Sequence, residues 1–298
     1  MSEKLRGIFP VLQTPLDAEG EIDFDSLRKE VDFCFQTDAH GLVFPVLGSE
    51  FQFFSDRERR SMVEAVVDEA AGRIPVVAGV AGTSTPAAVE HARHAAEVGA
   101  DAVIALPPYL SSAPPEETIN YYRAISDAAG IPVFVQHTNP DLSPSLIARM
   151  VTEIEHVRYI KEEAGCTAHT ISAVVDAVDE ECWGVFGGAW GRWMISETRR
   201  GATGFMPGAP TPEVYAQIWD ALEAGDEASS RQIFDQLLPL INFNTLVGLQ
   251  VCKEVLVRRG VFKTSRMRTP GSIEMDEDDH RELDALLEKL NPLLKSLT

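Results

Sequence analysis

Eight short apolar runs rich in β-branched residues, each followed by a longer stretch with a helical hydrophobic period, predict an α/β chain folded as a (β/α)8 barrel. Two further observations point the same way. Several runs are apolar throughout, as parallel strands buried on both faces require, and the units recur at intervals of roughly 20–35 residues. Beyond the eighth run the chain reads as helix alone, which adds a C-terminal helical appendage.

The strands are expected at residues 7–13, 41–47, 74–80, 101–106, 131–136, 157–161, 182–186 and 202–206. Helix starts are marked between them. Ser55-Asp56-Arg57-Glu58 fits a capping box, in which the Ser and Glu side chains satisfy orphan amides reciprocally. Thr85-Pro86, Ser143-Pro144 and Thr211-Pro212 each place a hydroxyl at the N-cap and Pro at the first helical position, where a missing N–H costs nothing. In the helix expected at 86–98, Val89, Ala92, Ala96 and Val98 form the apolar stripe, and Gly99 is the stop signal. Residues 1–210 are assigned to the barrel strands and most barrel helices. Residues 211–298 hold the last barrel helix and packed helices at 226–242, 245–259 and 276–294. An open doubly wound sheet is the alternative, but no G-x-G-x-x-G follows the first strand and no G-x-x-x-x-G-K-[ST] occurs.

The composition narrows the function classes. Lys and Arg number 26 against 46 Asp and Glu, a formal charge of −20 that repels phosphate backbones and anionic lipid. Nucleic-acid and membrane-surface roles are therefore disfavoured; such acidity also suits a salt-adapted cytoplasm. No apolar run approaches the ~18 residues of a membrane span, and the opening MSEKLRGIFP has no signal-peptide core. The four cysteines (Cys34, Cys166, Cys182, Cys252) form no C-x-x-C, which favours free thiols in a reducing cytoplasm over zinc or redox chemistry.

In a (β/α)8 barrel the reactive groups sit at the C-terminal ends of strands. Of seven lysines, only Lys161 ends an apolar strand, in Val157-Arg158-Tyr159-Ile160-Lys161-Glu162-Glu163. Two readings stand for it. Desolvation in the barrel mouth favours the neutral amine, a nucleophile toward ketones; alternatively it is a strand-end cation paired with Glu162 or Glu163. Glu50 follows strand 2 in Leu47-Gly48-Ser49-Glu50, a small-residue turn whose N–H groups suit a carboxylate. Tyr109 follows strand 4 after a diproline and is either a proton carrier or a cap on apolar surface. Gln136 and His137 end strand 5. His91 and His94 fall on an outer helix, no H-x-H ends strand 1, and no G-x-S-x-G occurs, so metal-dependent and serine hydrolases are poorly supported.

These pieces together resemble the dihydrodipicolinate synthase / N-acetylneuraminate lyase superfamily of Schiff-base barrel enzymes, over essentially the whole chain. The resemblance rests on Gly7-Ile8-Phe9-Pro10 with Thr14-Pro15, a G-x-x-G-E-like turn at 46–50, Pro107-Pro108-Tyr109 and Ile131-Pro132. It continues through Tyr159-Ile160-Lys161-Glu162, Gly187-Gly188 and Gly201-Ala202-Thr203-Gly204. It implies that Lys161 is the Schiff-base lysine and that main-chain amides at Gly48-Ser49 hold the carboxylate of a 2-keto acid such as pyruvate. Thr14, Glu50, His137, Gly187 and Met206 complete the implied substrate-binding set. A homotetramer with no metal and no organic cofactor is implied as well.

The departures bear on the substrate. The family's Tyr-Asn at the end of strand 5 is Gln136-His137 here, the hydroxyl residues of the strand-2 turn are Leu47 and Gly48, and the second Tyr after strand 4 is Leu110. The synthase's Arg has no counterpart in Thr138-Asn139-Pro140-Asp141-Leu142. A lysine-biosynthetic condensation is disfavoured. Gln136, the Ser-Glu turn, residues 153–157 and Pro239-Leu240-Ile241-Asn242 resemble the 2-keto-3-deoxy-sugar-acid dehydratases, notably those acting on 2-keto-3-deoxyarabonate.

The implied chemistry begins with the Lys161 amine attacking the C2 ketone; the imine acidifies C3, and a C4 hydroxyl leaves. A retro-aldol cleavage from the same imine is the alternative, and a non-catalytic keto-acid-binding protein is a third reading. Gln136 cannot titrate, so Tyr109 and His137 are the candidate proton carriers. Strand alternation sends Gln136 and His137 to opposite sides, which favours Tyr109.

Overall fold

A computed structural model describes residues 4–111, 113–138 and 141–296. Eight parallel strands lie in the order β1-β8-β7-β6-β5-β4-β3-β2. They are β1 (Gly7–Ile8), β2 (Leu42–Phe44), β3 (Val76–Gly79), β4 (Ala102–Ala105), β5 (Val133–His137), β6 (Val157–Glu162), β7 (Gly184–Gly187) and β8 (Gly204–Phe205). A bridge between Val11 and Val43 brings the two ends of the sheet together, so the predicted (β/α)8 barrel is the fold. Helices α1 (Phe24–Gln36), α2 (Asp56–Ala70), α3 (Thr85–Glu97), α4 (Pro115–Ala129), α5 (Pro144–Glu153), α6 (Thr167–Ala177) and α7 (Met194–Thr198) alternate with the strands. Four more follow: α8 (Pro212–Glu223), α9 (Glu227–Val247), α10 (Leu249–Arg258) and α11 (Glu277–Leu290).

The strand ends differ from expectation for local reasons. Pro10 has no N–H to donate, so regular pairing of β1 stops at Ile8, although Val11 N still donates to Pro207 O at 2.7 Å. Pro45 shortens β2 in the same way. Strands β5 and β6 each run one residue further than predicted, pairing Gln136 with Lys161 and His137 with Glu162. The capping box holds: Ser55 Oγ accepts from Glu58 N, and Ser55 N donates to Glu58 Oε2 at 2.8 Å. Ser143 caps α5 as expected. On α3 the cap is Ser84 rather than Thr85, placing Pro86 one position deeper; Thr211 stands at the start of α8, but its hydroxyl makes no capping bond. The break between α9 and α10 falls at Gly248, whose φ of +95° suits only glycine, rather than near residue 243. Among the described residues no helix is long and apolar enough to cross a membrane.

The barrel interior sets the depth of any site. Phe134 and Tyr159 stack with ring centroids 4.4 Å apart, and Phe186 meets Phe134 edge-on at 5.3 Å. Side chains two residues apart on a strand share a face. The inward residues above Phe134 and Tyr159 are therefore Gln136 and Lys161. An aromatic floor thus carries a polar layer at the C-terminal mouth.

Candidate active site

Above that floor lies a cavity of about 390 Å³ lined by Lys161, Gln136, Glu163, Gly48, Met206 and Trp190, with Leu47, Thr138 and Leu249 among its walls. Lys161 is 4% exposed, so its amine meets this cavity and little else. Its Nζ lies 3.1 Å from Glu163 Oε2. The same oxygen accepts from Gln136 Nε2 at 3.0 Å, and Oε1 accepts from Ala189 N at 3.1 Å. Burial pushes the Glu163 carboxyl up, but the Lys161 ammonium and the donors from Gln136 and Ala189 outweigh it, holding the group below the ordinary carboxylate range. Both sequence readings of Lys161 therefore meet in one geometry: it is paired, and it faces a space large enough for a small ligand.

In the sequence Glu163 stands only as a pairing partner for Lys161. The signal that identifies it is parity: on β6 and just beyond, residues 159, 161 and 163 face inward while Glu162 faces out. The backbone makes room for it at Gly188, where a Cβ would fall 2.3 Å from Glu163 Oε1 and 2.4 Å from its Cγ. A Gly188→Ala substitution is thus expected to push Glu163 off Lys161 and reduce turnover at least tenfold with little loss of melting temperature. Steady-state kinetics beside a thermal melt checks this, and unchanged turnover would contradict it.

Gly187 is likewise kept small by a carboxylate, on the other side: a Cβ there would fall 2.4 Å from Glu197 Oε2. It does not line the cavity. Glu197 is 1% exposed, accepts from Thr167 Oγ1 and leaves Oε2 without a partner among the described residues. Burial, with some help from the Glu162 and Glu163 carboxylates, pushes its carboxyl up to about 7. Its stabilising contribution is complete below the ordinary value of 4.5 and is lost as pH rises toward 7, because the unfolded chain ionises first. Glu197→Gln is expected to remove that loss, adding roughly 3 kcal/mol at pH 8 relative to pH 4.5. Urea melts at the two pH values measure it; an equal effect at both would contradict the burial argument.

His137 faces away from the cavity, as alternation predicted. Its Nδ1 lies 2.8 Å from Glu162 Oε2, both residues are buried, and its Nε2 has no partner among the described residues. The structure therefore separates His137 from the ligand space. Tyr109 is also set apart. It lines an adjoining cavity of about 330 Å³ with Leu106, Pro107, Thr118 and Asp141, and its ring meets Phe51 edge-on at 5.9 Å. Burial raises its pKa, against the pull of the nearby Arg59 guanidinium. Leu47 and Thr138 line both cavities, so the second adjoins the first. Asn139 and Pro140, part of the segment without the synthase's Arg, lie outside the described residues.

The strand-2 turn is built differently from its expected use. Residues Leu47–Ser49 form a single 3-10 turn. Ser49 N donates to Val46 O at 2.8 Å and Glu50 N to Leu47 O at 3.0 Å, so the amides left for a ligand, among the described residues, are those of Leu47 and Gly48. Ser49 Oγ donates to Leu12 O at 2.6 Å, and Thr14 Oγ1 donates to Ser49 O at 2.7 Å. Thr14 and Ser49 therefore fasten the turn rather than offer it hydroxyls. Glu50 points away from the cavity, with its Oε2 2.6 Å from Lys253 Nζ. Burial pushes this carboxyl up, but Lys253 and Thr269 outweigh that and keep it ionised. The structure thus brings Lys161, Gln136, Gly48 and Met206 together and leaves Tyr109, His137, Glu50 and Gly187 outside the cavity. Among the described residues no group of three or more His, Cys, Asp or Glu is arranged to hold a metal ion.

Comparison with known proteins agrees with this architecture. The chain is 31% identical over 296 residues to L-2-keto-3-deoxyarabonate dehydratase of Azospirillum brasilense, covering 97% of this chain and 96% of that one. It is 28% identical over 246 residues to a probable 2-dehydro-3-deoxy-D-pentonate aldolase of Escherichia coli, covering 80% and 81%. A prophage protein of Escherichia coli, solved in complex with pyruvate, superposes with a TM-score of 0.89 at 22% identity over 97% of this chain and 99% of that one, a likeness of fold. Relatives of the chain are named as synthases, dehydratases and aldolases, so the chain is an enzyme of the lyase type. The Dihydrodipicolinate synthetase family profile matches residues 4–290, and the chain belongs to that family.

Proposed function

We propose that this enzyme is a carbon–oxygen lyase that dehydrates a 2-keto-3-deoxy sugar acid through a Schiff base at Lys161. The observation that carries the reading is the triangle of buried Lys161 and Gln136 with half-buried Glu163, facing one cavity. The substrate carboxylate rests on the Leu47 and Gly48 amides. Lys161 passes a proton to Glu163 and attacks C2; the attacking nitrogen gives one proton to the C2 oxygen and Glu163 returns the other, so that this oxygen leaves as water and Glu163 is again a carboxylate. The iminium draws electrons from the C3–H bond, and the Glu163 carboxylate takes that proton. The protonated Glu163 then delivers it to the C4 hydroxyl, which leaves as a second water. Water hydrolyses the conjugated imine and restores the amine. Gln136 cannot exchange protons; it orients Glu163 by donating to it.

Charge argues for one carboxylate in the substrate. Among the described residues, Lys161 is the only Lys or Arg that lines either of the two adjoining cavities, so a second carboxylate at the far end would lie desolvated and unpaired. Tyr109, Thr118, Thr138 and Asp141 instead suit hydroxyl groups. The dehydratase relative, aligned over nearly the full length of both chains, supports this choice over retro-aldol cleavage. Turnover of a panel of 2-keto-3-deoxy acids is expected to give a product of the same carbon number minus water, with no pyruvate. Pyruvate release would establish the aldolase reaction, and saturable binding without turnover would establish a keto-acid-binding protein. The same reading includes a homotetramer, for which the exposed Leu110, Trp193 and Leu246 offer apolar surface; light scattering measures it.

A further inference from the structure

We propose that Lys253 is a positioning residue for the keto acid, acting through Glu50: the buried pair ties helix α10 to the 47–50 turn and fixes where its two unengaged amides point. The inference rests on the reading that this turn receives the substrate carboxylate. Both side chains are 1% exposed, and they meet at 2.6 Å although 203 residues separate them in sequence. Glu50 Oε1 accepts from Arg268 N at 2.8 Å, Thr269 N at 2.7 Å and Thr269 Oγ1 at 2.7 Å, while Lys253 Nζ also donates to Arg266 O at 2.8 Å. One carboxylate thus gathers helix α10, the strap at 266–269 and the turn.

Two features show that the arrangement serves geometry more than stability. A buried ion pair adds little that apolar side chains of the same volume would not supply, since both charges must be desolvated. Glu50 also holds a left-handed backbone, φ +61°, which a non-glycine residue keeps only when its surroundings impose it. The direction of that strain matters because Glu50 directly follows the 3-10 turn, and Gly48 of that turn lines the cavity. Leu249 lies one helical turn before Lys253 on the same face of α10 and is part of the cavity wall. A helix from the C-terminal appendage therefore supplies both a wall of the site and the anchor of its carboxylate-binding turn.

The test uses the full-length enzyme and the double variant Glu50→Gln/Lys253→Met, which removes both charges while nearly preserving shape. Amide hydrogen exchange at Ser49 and Glu50, whose N–H groups close the turn, is expected to rise at least tenfold, with β6 amides unchanged. The pyruvate concentration giving half-maximal borohydride trapping is expected to rise about tenfold at an unchanged limiting yield, because misplacing a binding group by a fraction of an ångström weakens alignment and leaves the amine intact. Unchanged exchange at the turn overturns the proposal, and so does faster exchange with unchanged half-saturation. If the wild-type enzyme forms no adduct, the Schiff-base reading fails; exchange at the turn and pyruvate affinity measured by calorimetry then decide the role of Lys253. Should the double variant not fold, Thr269→Val, which removes one bond to Glu50, is expected to shift the same two readouts by roughly threefold.

Discussion

Replacing Glu163 with Gln is expected to lower kcat by about 10²- to 10⁴-fold, the range that a positioned general acid–base group supplies. The substitution keeps the shape and one acceptor oxygen, which can serve Lys161 and Gln136 while the Ala189 amide loses its partner, so a thermal melt is recorded beside the kinetics. What is lost is the ability to carry a proton between the amine, C3 and the leaving hydroxyl. Because Lys161 and its hydrogen-bond donors hold the Glu163 carboxyl below its ordinary value of 4.5, the wild-type acid limb assigned to this group falls below that pH. A Glu163→Gln profile should lack the limb. A variant with near-normal kcat would transfer the proton role to another group, with Tyr109 in the adjoining cavity the first to test.

Lys161→Ala has the second large effect. Removing the amine removes the electron sink, so turnover is expected to fall below detection in the sugar-acid assay even though the cavity becomes larger. Keto-acid binding should persist at reduced affinity, because the Leu47 and Gly48 amides remain. The substitution leaves Glu163 without its cation, so a melting curve must accompany the kinetics; a folded variant with residual turnover near wild type would contradict covalent catalysis.

Much of this site was legible in the sequence because it depends on strand periodicity. One lysine ends an apolar strand, and alternation correctly separated Gln136, which faces the cavity, from His137, which faces Glu162. The same parity would have selected Glu163 over Glu162, since consecutive carboxylates on a strand cannot share a face. Other features lacked a local signal. Glu50 was read toward the ligand because the turn is small and polar, but its partner Lys253 lies on a helix near the other end of the chain, and only tertiary packing brings the two together. Tyr109 follows a diproline that fixes where the chain leaves β4, but not which of two adjoining cavities its ring enters. The strand limits erred where Pro10 and Pro45 remove ladder donors, a local signal given too little weight against the apolar runs around them.

The most direct test of the central claim is the mass of the enzyme after borohydride reduction in the presence of pyruvate, followed by peptide mapping. The mechanism predicts a single reduced adduct on Lys161, present in the wild-type enzyme and in Glu163→Gln after longer incubation, and absent from Lys161→Ala. No adduct in the wild type, or one mapped to a different lysine, would contradict it.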